Sequence, residues 1–81
     1  SVAASSVSVR QVVENALYAG ASSIILAHNH PSGVALPSQQ DLLVTRQIQE
    51  ALSPLNIRLA DHVVVADSDY VSMAESGLLA R

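Results

Sequence analysis

Two imidazoles and one carboxylate stand at a spacing that can hold a divalent metal. His28 and His30 flank a single residue at the end of a short apolar run, Ser23-Ile24-Ile25-Leu26-Ala27, and Asp41 follows a Pro/Gly-containing loop. In an extended segment residues i and i+2 project to the same side, so both rings share one face. The C-terminal end of such a buried strand is where open α/β sheets place their ligand crevices. Asp41 falls in the first turn of the next predicted helix, from which the loop can fold it back towards the imidazoles. Two His and one carboxylate leave a fourth position for water, the composition of catalytic rather than structural zinc. Zinc in such a set lowers the pKa of its water to roughly 7 and polarises a carbonyl, which opens amide or ester hydrolysis at neutral pH. That chemistry also needs a base for the water's proton and a donor for the tetrahedral oxyanion. Ser38, three residues before Asp41, is placed to be the donor. Taken alone, Ser38-x-x-Asp41 is also an ordinary helix start, with Ser as N-cap and Asp favoured by the helix dipole.

The elements that must position these residues can be read from pattern. Ser8 followed by Gln11 forms a capping-box signal before Val12, Val13, Ala16 and Leu17, and Gly20 is a stop, so a helix is predicted over about 9–19. The run 23–28 is β-branched and almost wholly apolar, which predicts a central strand covered on both faces. Residues 29–37 hold two Pro and one Gly and read as a loop. A second helix opens at Ser38 and runs to roughly Leu52, with Val44, Ile48, Ala51 and Leu55 toward the core; Pro54 and Asn56 end it. Residues 57–59 and 62–66 are strand material, one strand interrupted near Asp61. Asp67-Ser68-Asp69 is a turn, and 70–73 a final strand in hairpin pairing with the one before. Residues 1–8 read as a strand or a loose terminus, and 74–81 as a short helical turn. The alternation gives an α/β class with a mixed sheet, in one domain spanning 1–81.

The residues quoted above also resemble a known signature. His28-Asn29-His30-Pro31-Ser32-Gly33 followed by Pro37-Ser38-Gln39-Gln40-Asp41 is similar to the JAMM (MPN-plus) pattern of His-x-His, seven residues, Ser, two residues, Asp. The wording HNHPSG, the preceding Ile24-Ile25-Leu26-Ala27, the later Asp61-His62-Val63-Val64-Val65 and Tyr70-Val71-Ser72 resemble the RadC branch, and the likeness covers nearly the whole chain. The resemblance implies a cytidine-deaminase-like three-layer α/β/α fold, here truncated at its N-terminus. It implies zinc held by His28, His30, Asp41 and a water, with Ser38 assisting the oxyanion, in a hydrolase of peptide, isopeptide or related amide bonds. The family's general base is a glutamate on a strand upstream of the first helix. Nothing before Val9 is acidic, and Glu14 lies within the predicted helix, so the base is expected outside these 81 residues. This chain alone is then expected to bind zinc without turnover.

Composition narrows the remaining classes. There is no cysteine and no lysine, only Arg10, Arg46, Arg58 and Arg81, and the net charge is −3. Only Tyr18 and Tyr70 are aromatic. A nucleic-acid binder needs a basic stripe and stacking aromatics, so no direct nucleic-acid binding is expected; a DNA-repair role would act through partners. The adjacent letters H-N-H are not the dispersed motif of HNH nucleases. The apolar runs are too short to span a membrane and no signal peptide is evident. With no disulfide possible, the expected compartment is the cytoplasm. His62 invites assignment as a fourth ligand, but pairing with Asp61 or a backbone carbonyl is the preferred reading. Asp67 and Asp69 are read as turn residues rather than a cation site. Three classes stay open: a zinc hydrolase, favoured by the motif; a non-catalytic interaction module of the same fold, favoured by the absent base; and a nucleic-acid processing factor. An unpaired sheet edge left by missing upstream strands predicts self-association.

Overall fold

The first helix, α1 (Val9–Tyr18), begins where expected because the Ser8 hydroxyl accepts from the Gln11 backbone N–H. It ends on Gly20, whose φ of 64° few other residues tolerate. There Ala21 N–H donates to Ala16 and Gly20 N–H to Leu17, the paired bonds of a Schellman stop. A computed structural model describes residues 8–80; the strand-or-terminus reading of 1–8 therefore lies, save for Ser8, outside the described residues. The following elements are β1 (Ser23–Asn29), α2 (Gln39–Leu52), a single 3-10 turn (Ser53–Leu55), β2 (Arg58–Ala66) and β3 (Asp69–Ser72). Pro54 sits in the 3-10 turn and Asn56 closes it in the left-handed region at φ 58°.

These form a mixed three-stranded sheet in the order β1-β2-β3. β1 and β2 are parallel, joined through α2, and β2 and β3 form the expected antiparallel hairpin across Asp67 and Ser68. Both helices pack on one face. Ala16 of α1, Val44, Ile48 and Leu52 of α2, and Ile57 and Leu59 form the core cluster, with Ile24 and Leu26 of β1 against it. Ile48 and Leu52 are fully buried. The apolar positions 44, 48 and 52 recur every four residues, which is why one stripe of α2 meets the sheet. Leu55, expected toward the core, lies exposed in the 3-10 turn.

β1 departs from expectation. Its burial alternates, with Ile24, Leu26 and His28 turned inward and Ile25, Ala27 and Asn29 outward. Ile25 is 66% exposed. The strand is not covered on both faces because both described helices occupy the same side. Among the described residues there is no third layer of the expected α/β/α sandwich. Among the described residues the outer edge of β1 is also unpaired.

β2 is one continuous strand, and its irregularity near Asp61 is a bulge. Ile24 pairs with Leu59 while the next residue, Ile25, pairs with Asp61, leaving Ala60 without a partner. One extra residue reverses the parity of everything after it. Leu59 and then His62, Val64 and Ala66 consequently face the helices, and all four are buried. Without the bulge His62 would point away from α2.

Candidate metal centre

The strand, the loop and the helix start converge on one point. His28 ends the inward row of β1. Beyond the strand, His30 N–H still donates to Val65 O at 2.7 Å, which carries the pairing with β2 past Asn29. The chain then turns over His30-Pro31-Ser32-Gly33, closed by Gly33 N–H to His30 O at 3.2 Å. Pro31 at the second and Gly33 at the fourth position suit a type I turn. Gly33 has φ 85°, and a Cβ there would lie 2.8 Å from Asp67 Oδ2. The backbone therefore favours Gly here, and any side chain would also oblige the exposed Asp67 carboxylate to move.

Asp41 is fixed by a full capping box at the start of α2. Ser38 Oγ accepts from the Asp41 N–H at 3.1 Å, and Asp41 Oδ2 accepts from the Ser38 N–H at 2.8 Å. The capping box bears out the reading of Ser38-x-x-Asp41 as a helix start. Asp41 is buried, an uncommon environment for a carboxylate without partners. Burial acts to raise its pKa, but the Ser38 N–H and hydroxyl, His28 and His30 outweigh that and hold it below the usual carboxylate range.

His28, His30 and Asp41 each offer one ligand atom, all within 4.8 Å of one another. His30 Nδ1 lies 2.9 Å from Val34 O, a carbonyl that only accepts, so Nδ1 carries a proton; Nε2 faces the Asp41 carboxylate. His30 Nε2 is 2.9 Å from Asp41 Oδ2, and His28 Nε2 is 3.6 Å from Asp41 Oδ1. Two ligand atoms about 2.0–2.1 Å from a tetrahedral zinc stand about 3.3 Å apart, and the two observed separations bracket that value. His28 Nε2 is buried with no hydrogen-bond partner, an orphan that a metal would satisfy. Desolvation, aided by His30, lowers the His28 pKa against the opposing pull of Asp41. A neutral, buried imidazole is the form a metal ligand needs. The residues present fit a divalent metal.

The His62 ring lies outside the His28, His30 and Asp41 group, and it pairs neither with the Asp61 carboxylate nor with a backbone carbonyl. Its ring lies between Thr45 Oγ1, 2.6 Å from Nδ1, and His28 Nδ1, 3.3 Å from Nε2. Burial, aided by His28, lowers its pKa despite Asp41 and Asp61. Asp61 instead accepts from the backbone N–H of His62 and Ala74 and from the Ser72 hydroxyl, tying the bulge to the end of β3. Burial pushes the Asp61 carboxyl up, and those three donors overcome it to leave the group low. Thr45 was not singled out by sequence reasoning. Its signal was available, since it stands one helical turn beyond Asp41 on the same face. Glu14 lies on the exposed side of α1 in an ion pair with Arg10 at 3.1 Å, away from the cluster. Asp67 and Ser68 form the hairpin turn as expected, while Asp69, also expected in the turn, opens β3 and pairs with Ala66.

A three-ligand His/His/Asp cluster at the C-terminal end of a parallel strand, facing a capped helix start, defines a small α/β domain able to hold a metal ion. A family model described as "RadC-like JAB domain" matches residues 1–78. The chain is 54% identical to a "UPF0758 protein" of Cellvibrio japonicus (strain Ueda107) over 70 residues, 86% of this chain and 31% of that protein. It is 53% identical to a "UPF0758 protein" of Vibrio atlanticus (strain LGP32) over 91% of this chain and 33% of the relative. A "UPF0758 protein" of Coxiella burnetii (strain Dugway 5J108-111) is 46% identical over 98% and 35% respectively. The chain belongs to the RadC-like JAB domain family, and it spans about a third of the length of these curated relatives.

Proposed function

We propose that this domain is the zinc-binding core of a JAMM-type metallohydrolase that cleaves a peptide, isopeptide or related amide bond. The observation that carries the reading is the orphaned His28 Nε2, buried and turned towards Asp41 beside His30. A hydrogen-bonded structural histidine would not leave that atom without a partner. Zinc, when bound, supplies Lewis acidity and a water of lowered pKa. His28 and His30 would hold it through their imidazoles and Asp41 through its carboxylate. Ser38 Oγ accepts from Asp41 N–H, and its hydroxyl proton, which helps hold the Asp41 carboxylate low in the metal-free chain, is the donor we assign to a developing oxyanion. Buried Asp41 and half-buried His28 and His30 keep bulk water from competing for these groups. The general base is assigned to sequence outside these 81 residues, since among the described residues no carboxylate other than Asp41 joins the cluster.

That missing carboxylate is also what favours a second reading, a metal-stabilised interaction module of the same fold. A protein of the relatives' full length separates the two. Loaded with zinc and offered peptide and isopeptide substrates, it is expected to hydrolyse one of them, and to stop on chelation and on His30→Ala. Zinc binding without hydrolysis of any amide offered would favour the module. Salt-dependent DNA binding by the same protein would support a DNA-repair role instead.

A further inference from the structure

The chain Asp41 O, Thr45 Oγ1, His62 and His28 is a proton ladder in which every rung is decided by the one before. Thr45 Oγ1 lies 2.6 Å from the carbonyl oxygen of Asp41, and a carbonyl can only accept, so the hydroxyl proton points there. The same Oγ1 is 2.6 Å from His62 Nδ1. Having spent its proton, Thr45 accepts, so His62 Nδ1 carries a hydrogen. A buried neutral imidazole has only one, which leaves His62 Nε2 as a lone pair. Across 3.3 Å stands His28 Nδ1, which must then be the protonated nitrogen of that ring. The remaining nitrogen, His28 Nε2, is the buried orphan facing Asp41.

We propose that Thr45 and His62 are positioning residues that lock His28 in its Nδ1–H tautomer, so that the Nε2 lone pair is presented to the metal site before any metal arrives. His30 Nδ1 is held as a donor more simply, by the backbone carbonyl of Val34. The two ligands are thus prepared by different devices, one local and one spanning three elements. The bulge at Ala60 is what makes the second possible, because it turns His62 onto the face of α2. Hydrogen bonds to the outer nitrogen of a ligating histidine fix its tautomer and orientation, and their loss typically costs 10- to 100-fold in metal affinity. The link to metal affinity rests on His28 being a ligand; the tautomer does not.

The test uses the full chain labelled with 15N, metal-free, at about pH 8.5, roughly two units above the ordinary imidazole pKa. Long-range 1H–15N correlation reads which ring nitrogen of each histidine is protonated. The expected result is Nδ1–H for both His28 and His62. Thr45→Val removes the hydroxyl with little change of shape and does not touch His28. It is expected to move His28 towards the Nε2–H form and to weaken zinc binding by about 10- to 100-fold in a competition titration. Thr45→Ser should restore both. His28 found as Nε2–H in the parent would overturn the proposal, and so would a Thr45→Val variant unchanged in both readouts. The parent measurement needs no variant, so it decides the matter even if Thr45→Val fails to fold. A parent with His28 as Nδ1–H that takes up no zinc would support the lock and refute the ligand assignment.

Discussion

Gly33→Ala separates two contributions that the structure superimposes at one atom. The residue adopts φ 85°, and a side chain in that region costs about 1–2 kcal/mol. The added Cβ would also stand 2.8 Å from Asp67 Oδ2. Asp67 is exposed, so its carboxylate can rotate away at about 0.5–1.5 kcal/mol. The sum is about 1.5–3.5 kcal/mol, large against the roughly 4–12 kcal/mol expected of 81 residues at 0.05–0.15 kcal/mol each. A double-mutant cycle with Asp67→Ala divides the sum. The strain of Ala at position 67, where φ is 49°, occurs in both backgrounds and cancels. Urea denaturation with an unchanged m-value gives each term. The expected coupling is about 0.5–1.5 kcal/mol, with the remainder persisting without Asp67. Zinc affinity should fall as well, because relief of the strain at position 33 would loosen the turn, closed by the N–H of that residue, that carries His30. A Gly33→Ala chain within about 0.5 kcal/mol of the parent would refute the backbone argument, and zero coupling the contact argument.

Other expected outcomes concern pH, the cap and the sheet edge. The His28 and His62 pKa values are lowered, so their stabilisation is complete above the unfolded value of about 6.5 and is lost as pH falls towards the folded values. Asp41 and Asp61 are lowered too, so theirs holds above about 3.9 and is lost as pH falls through the folded values. The metal-free chain should therefore show two acid steps in its urea midpoint, with Asp61→Asn shrinking the lower one; a flat midpoint between about pH 8 and 5 would contradict the burial argument for the histidines. Ser38→Ala should cost about 1 kcal/mol of stability through the lost cap. In the full-length protein it should also lower kcat by about 100- to 1,000-fold if Ser38 stabilises an oxyanion; a change in stability alone would confine Ser38 to the cap. Among the described residues the outer edge of β1 is unpaired and the strand carries exposed Ile25, which predicts self-association of this chain. Sedimentation as a monomer at high concentration would refute it.

The order of elements was legible because each carries a local signal. Ser8, Gly20, Ser38, Pro54 and Asn56 mark helix ends through caps and left-handed stops, and the apolar periods mark what lies between. The His28, His30 and Asp41 cluster was legible for the same reason. One strand end and one helix start, joined by a short loop, leave little freedom in where three side chains meet. The exposure of Ile25 was not legible, because an apolar run says nothing about which faces other elements will cover. The role of His62 depends on an unpaired Ala60 that reverses strand parity, a property of pairing with β1 rather than of β2 alone. The ladder from Thr45 to His28 joins residues 17 and 34 positions apart, beyond any periodicity in the sequence.

Zinc stoichiometry tests the central claim most directly. The chain would be freed of loosely held metal, titrated with zinc near neutral pH and measured by elemental analysis beside a His28→Ala, Asp41→Ala double variant. The account predicts one zinc per chain in the parent and none in the variant, with the variant still folded by circular dichroism. A parent that takes up no zinc, or a variant that retains it, would contradict the assignment of His28, His30 and Asp41 as the metal site.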